Sequence, residues 1–291
     1  MARKPITVGM FYEELFELLD KQIAECFTHE KGPGALPSKR TDKEITGIIV
    51  PHAGYQFSGP CQAWAYKKIA ESRFPDIFVI LGANHQGFGK AATLLDDFET
   101  PLGIVKTDID FAKKLIKNSN FNIVENKELH AKEHSIEVQL PFLQFANKDN
   151  LNNIRIVPII IGPEADYKKV AETIANTAKQ ENKKIIIIAS SDFTHYGFSY
   201  GYVPFQTKVK ENLYKLDREA IKYIEKLDTE SFLNYLQETE ATICGANAIA
   251  AAIETAKQMK AKEAKLLQYY TSGDIVGDYR NAVGYASILF K

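Results

Sequence analysis

The sequence predicts an α/β fold, a mostly parallel central sheet with helices on both faces. Three observations predict it. Apolar runs rich in isoleucine and valine recur along the chain, these runs lack polar alternation, and helical patterns fill most of the intervals between them. A strand covered on both faces reads as a continuous hydrophobic run, and strand–helix alternation builds a parallel sheet.

Strands are expected at residues 45–50, 77–82, 154–162, 184–189 and 283–290. Helices are expected near 11–27, 60–71, 108–118, 135–145, 166–179, 205–225, 229–238 and 245–259, with Asp108 and Thr229 as N-caps. Residues 32–38, GPGALPS, read as a loop. Without an internal repeat, low-complexity tract or Pro/Gly/Ser-rich linker, the expectation is a single domain over residues 1–291.

Composition narrows the function. The 45% hydrophobic and 25% charged residues are those of a globular protein, not a disordered one. With 36 Lys+Arg against 37 Asp+Glu the net charge is -1, so no global field favours nucleic acid or an acidic membrane surface. The basic stretches 179–184 and 257–265 are mixed with other residues and read as solvated helix faces. The N-terminus lacks the apolar core of a signal peptide, and no stretch approaches the roughly 20 apolar residues of a membrane span. Three widely spaced cysteines fit a reducing compartment, so a cytoplasmic location without disulfides is expected.

The chemistry gathers at strand ends. The first long strand runs into Pro51-His52-Ala53-Gly54, the second into Asn84-His85-Gln86-Gly87, and a third into Ser191-Asp192-Phe193-Thr194-His195. Ligands of parallel sheets sit at the carboxyl ends of the strands, so His52, His85, Asp192 and His195 are expected on one edge. Cys244 precedes an alanine-rich helix, where free backbone N–H groups and the helix dipole would favour a thiolate. His134 opens a further helix and is expected in the same cavity, with a weaker case for Glu137. Glu133 reads as a complement to the helix dipole, His29 and His130 as surface residues, and Cys26 and Cys61 as structural.

Imidazoles and a thiolate suit iron, copper or zinc and argue against magnesium or calcium. The same side chains could instead serve a Cys–His nucleophile. These alternatives stay open at the level of residue types.

The motifs VGMFY (8–12), PHAGYQFSG (51–59), LGANH (81–85), EHSIEVQLPFL (133–143), SSDFTHYG (190–197), CGANAI (244–249), TSGD (271–274) and VGYAS (283–287) occur in order. Together they resemble the Memo family, also called AmmeMemoRadiSam system protein B, over nearly the whole chain. The resemblance implies a fold like that of class III extradiol dioxygenases. It implies His52, His85 and Cys244 as metal ligands, with Asp192 and His195 lining the pocket. Cys244 stands where the dioxygenases carry a carboxylate, so ring cleavage does not carry over.

The expectation is an iron- or copper-dependent oxidoreductase or redox protein acting on a small-molecule substrate, iron being favoured and zinc an alternative. His195, Asp192 and His134 would be its catalytic residues, with His195 as acid/base and Asp192 orienting His195 or contacting the metal. The competing expectation is a peptide- or protein-binding module using the same pocket, its surface formed by Tyr55, Phe57, Phe88, Phe193, Tyr196, Phe198, Tyr200 and Tyr202. Microbial relatives further imply a radical-SAM protein and an AMMECR-type protein as partners.

Overall fold

In the computed structural model, which describes residues 2–291, twelve strands join in one sheet. They are β1 (Ala2–Arg3), β2 (Gly47–Val50), β3 (Ile77–Ala83), β4 (Ala91–Thr93), β5 (Asp97–Thr100), β6 (Gly103–Thr107), β7 (Ile123–Glu125), β8 (Arg155–Ile161), β9 (Ile185–Ser190), β10 (His195–Gly197), β11 (Ala264–Thr271) and β12 (Asn281–Phe290). The helices are α1 (Phe16–Thr28), α2 (Tyr55–Ala70), α3 (Ile109–Asn118), α4 (Lys127–Lys132), α5 (Gln139–Ala146), α6 (Tyr167–Gln180), α7 (Val209–Glu225), α8 (Thr229–Thr239), α9 (Ala246–Gln258) and α10 (Ser272–Val276).

The centre of the sheet, in the order β6-β8-β3-β9-β2, is parallel throughout. This agrees with the fold class read from the sequence. β12 continues it antiparallel to β2, pairs with β10 at its start, and carries β11 as an antiparallel neighbour.

Side chains alternate along the central strands and so build two cores. Ile77, Val79 and Leu81 of β3 and Ile185, Ile187 and Ala189 of β9 face the layer of α3, α6, α7, α8 and α9. Phe78, Ile80, Ile186 and Ile188 face the opposite layer of α1, α2 and α5. All seven residues of β3 are buried, and truncating one, such as Ile80→Ala, costs about 2–5 kcal/mol. Small residues of α9, among them Ala248 and Ala252, let it pack closely on α6 and β9.

Several expected boundaries move. Helix α1 begins at Phe16 rather than residue 11, because residues 3–12 are drawn across the sheet edge by long-range hydrogen bonds. Helix α2 starts at Tyr55 and holds Pro60 internally, losing only the bond that the residue-60 N–H would give the Gln56 carbonyl. Helix α5 starts at Gln139, the residues before it forming tighter turns closed by Gln139 N–H to the Ile136 carbonyl and Leu140 N–H to the Glu137 carbonyl. Asp108 caps α3 as expected, accepting from the Phe111 N–H at 3.0 Å. Asp228, not Thr229, caps α8, and the Thr229 hydroxyl donates to Glu254 instead.

Candidate metal centre

Strands β2, β3 and β9 are parallel neighbours, so their carboxyl ends share an edge. His52, His85 and Asp192 each stand two residues beyond the end of their strand. The equal offset sets the three residues at one level of the edge.

The nitrogen donors of His52, His85 and His134 lie within 4.8 Å of one another. The rings of His85 and His134 stack with centroids 4.7 Å apart, and His52 stands edge-on to both. Of the expected ligands, His52 and His85 belong to this trio. His134, expected as a pocket residue, completes it. Cys244 adjoins it through His52, its Sγ being 3.2 Å from Nε2. A Cβ on Gly245 would lie 2.5 Å from the Ser191 Cβ, so only glycine lets the turn carrying Cys244 come this close.

Second partners fix which nitrogen of each ring is available. The single proton of the Ser190 hydroxyl goes to the Ser135 carbonyl at 2.6 Å, while its oxygen accepts from Gln139 Nε2 at 2.8 Å. The remaining lone pair faces His52 Nδ1 at 3.0 Å, so Nδ1 carries the ring proton and Nε2 presents a lone pair toward Cys244. His85 Nδ1 lies 2.9 Å from Glu133 Oε1, which likewise frees its Nε2. His195 donates Nδ1–H to the Thr242 carbonyl at 3.1 Å. Metal-ligating histidines are held in this way, with the second ring nitrogen donating to an oxygen.

The electrostatics act on the donors in opposite directions. Burial, and then the nearby charges of His85 and His134, depress the His52 pKa, so its ring is neutral. Burial also pulls His85 down, but the hydrogen bond and charge of Glu133 outweigh it and raise the pKa. Burial pushes Glu133 up, yet its bonds to the His85 ring and to backbone N–H groups hold it well below the usual carboxylate range. Burial, then the Asp192 carboxylate, pushes the Cys244 thiol up. Burial thus works against the thiolate that the helix start was expected to favour. A soft metal ion would displace the thiol proton.

Asp192 Oδ1 accepts the backbone N–H groups of His52 at 2.8 Å and Ala53 at 3.3 Å, tying the β2 and β9 loops together. The carbonyl of Thr242, not Asp192, orients the His195 ring. Behind this loop Asp217 is fully buried, accepting from the Thr194 hydroxyl and from Tyr269 OH at 2.7 Å.

His130 and Glu133 also differ from their reading in the sequence. His130 is 2% exposed, not a surface residue, and its Nε2–H donates to the Ala92 carbonyl. Glu133 does more than complement a dipole, since its carboxylate gathers the His85 ring and the N–H groups of His85, His134 and Ser135. Ser190 and Gln139 were missed; the polar residue ending an apolar strand was the available signal for Ser190. Among the expected recognition rings, Tyr55, Phe193, Tyr196 and Tyr202 are buried, Phe57 is half-buried, and Phe88, Phe198 and Tyr200 are exposed.

The fold and this cluster define an α/β protein with a metal-competent imidazole centre at the carboxyl edge of its sheet. A family model described as Memo-like protein matches residues 3–289, and the chain belongs to the Memo family. A MEMO1 family protein of Methanopyrus kandleri is 40% identical over 296 residues, covering 100% of this chain and 99% of that one. One from Nitrosopumilus maritimus is 38% identical over 298 residues, with 100% of both chains covered. The crystal structure of an uncharacterized protein from Escherichia coli K12 shares the fold at TM-score 0.55 and 11% identity, covering 85% of this chain and 100% of that one. No helix among the described residues is long and apolar enough to cross a membrane.

Proposed function

We propose that this chain is a metal-dependent oxidoreductase or redox protein whose centre takes iron or copper. The observation that carries the reading is the convergence of the His52, His85 and His134 donors within 4.8 Å, with the Cys244 sulfur against His52. A separation of 3.2 Å between Sγ and Nε2 is close to the roughly 3.5 Å expected of two ligands sharing one tetrahedral ion. Nitrogen and sulfur donors suit iron, copper or zinc. The bound metal would supply a redox centre or a Lewis acid.

The chain's own residues do the rest. Ser190 and Glu133 hold the His52 and His85 rings with Nε2 inward. His195, anchored at Nδ1, offers Nε2 as the site that gives or takes a proton from a small-molecule substrate. Asp192 keeps the strand-end loops in register through two backbone bonds.

Elemental mass spectrometry of protein purified anaerobically tests the reading. Near-stoichiometric iron or copper is expected in the wild type and not in a His52→Ala, His85→Ala, Cys244→Ser triple variant. A wild type that stays metal-free after anaerobic reconstitution with Fe(II) and Cu(I) would overturn it.

A further inference from the structure

Three of the pocket imidazoles are anchored through a ring nitrogen: His52 by Ser190, His85 by Glu133 and His195 by Thr242. The His134 ring has no such hydrogen bond among the described residues, and its nearest carboxylate oxygen, on Glu133, is 3.5 Å away. Its orientation therefore depends on packing. One face lies on His85, and the ring also meets Phe11 edge-on at 5.2 Å.

Phe11 belongs to residues 3–12, which cross the edge of the sheet. The terminal strand β1 spans two residues and is too short to hold this segment by itself. A buried ion pair does so. The Arg3 guanidinium donates to Glu137 Oε2, to the Glu133 carbonyl and to the His130 carbonyl, each at 2.7 Å. The Glu137 carboxylate, with no exposed side-chain surface, accepts Ile6 N–H, Thr7 N–H, the Thr7 hydroxyl and Tyr12 OH at 2.8–2.9 Å. The Phe11 carbonyl then accepts the Tyr55 N–H at 2.7 Å, joining the segment to the loop that carries His52.

We propose that Arg3 and Glu137 are positioning residues for the metal centre, clamping residues 3–12 so that Phe11 holds the unanchored His134 ring in ligating orientation. This rests on the metal reading above. Glu137 thus serves the site without entering the cavity. Arg3 is specific to the task because its planar fork puts a different nitrogen on each of the three acceptors, whereas a lysine offers all its donors from one point.

The test is anaerobic titration with Co(II), read by its visible absorption, on wild type, Arg3→Ala, Arg3→Lys and Phe11→Leu. Loss of an outer partner of a metal ligand costs about 10–100-fold in affinity. Arg3→Ala is expected to weaken Co(II) by that factor and alter the band shape while still unfolding in one cooperative transition, with Arg3→Lys intermediate. Phe11→Leu, which leaves the ion pair intact, is expected to weaken Co(II) in the same direction and covers the case in which Arg3→Ala does not fold. Histidine side-chain NMR of the metal-free protein supplies the second readout. The His134 signals should move in Arg3→Ala and Phe11→Leu while those of His195 stay. Wild-type Co(II) affinity in both variants, or unmoved His134 signals, would overturn the proposal. A wild type that takes up no Co(II) counts against the metal reading instead, and the His134 signals then decide the role of Arg3 alone.

Discussion

Ser190 Oγ lies 3.0 Å from His52 Nδ1 and has already given its proton to the Ser135 carbonyl. A hydroxyl with its donor spent can only accept from the ring, and that fixes the His52 tautomer from outside the cavity. Ser190→Ala should therefore lower metal affinity about 10-fold or more without removing a ligand. Competition against a chelator of known affinity measures this, and an unchanged affinity would show that the ring is fixed by packing alone.

Cys244 should set the preference of the centre rather than its existence. The three imidazoles converge without it, whereas the thiol meets His52 Nε2 at 3.2 Å and otherwise the Asp192 carbonyl and Ser191 Oγ. Cys244→Ser is expected to reduce Cu(I) affinity at least 10-fold and Co(II) affinity much less, because thiolate favours the softer ion. Parallel titrations of both ions decide it; equal losses would mean that softness is not what the sulfur contributes.

Burial chiefly raises Asp217, opposed by bonds from Thr194 and Tyr269, to a pKa of about 6 against an ordinary 3.8. The folded state thus holds this proton more tightly than the unfolded chain. Its stabilising contribution is full below about pH 4 and is lost as pH rises through about 6. Asp217→Asn should gain on the wild type by up to about 3 kcal/mol between pH 4 and 8. Denaturant unfolding across that range reads the difference, and parallel curves for the two proteins would refute it.

His130 should act with the opposite slope. Burial holds it down to about 4, partly countered by its bond to the Ala92 carbonyl, so the folded state resists protonation that the unfolded chain accepts. Its contribution is full above about pH 6.5 and is lost as pH falls toward 4. His130→Gln, which keeps a donor for Ala92, should remove up to about 3 kcal/mol of that acid sensitivity. Unfolding midpoints of the variant and wild type at pH 7 and pH 4.5 provide the comparison; an equal drop in both would place the acid sensitivity elsewhere.

The central sheet and its chemical edge were legible because each signal was local. An unbroken apolar run followed by a histidine or aspartate announces a buried strand and what stands at its end, as at Val50–His52 and Ser190–Asp192. Partnerships across the chain were not legible. Glu133 sits next to His134 in sequence but bonds the ring of His85, 48 residues away. His130 lies among Glu128, Lys132 and Glu133 and reads as exposed, yet it is enclosed once Arg3, 127 residues distant, closes on its carbonyl. Strand β11 escaped notice because Lys265 and Gln268 interrupt its apolar run at positions that are not fully buried.

The two cores built on alternate residues of β3 and β9 limit how such a chain can change length. Deleting one residue within β9 would exchange the side chains facing the two helical layers beyond the lesion and turn the following Asp192 loop by half a pleat. Exchanging isoleucine for valine there changes a volume; removing a codon changes which layer every later side chain belongs to. Length variation that leaves the centre assembled is therefore confined to connections away from this edge, such as residues 29–46 or the turn at Asn120-Phe121, whose ring is 77% exposed.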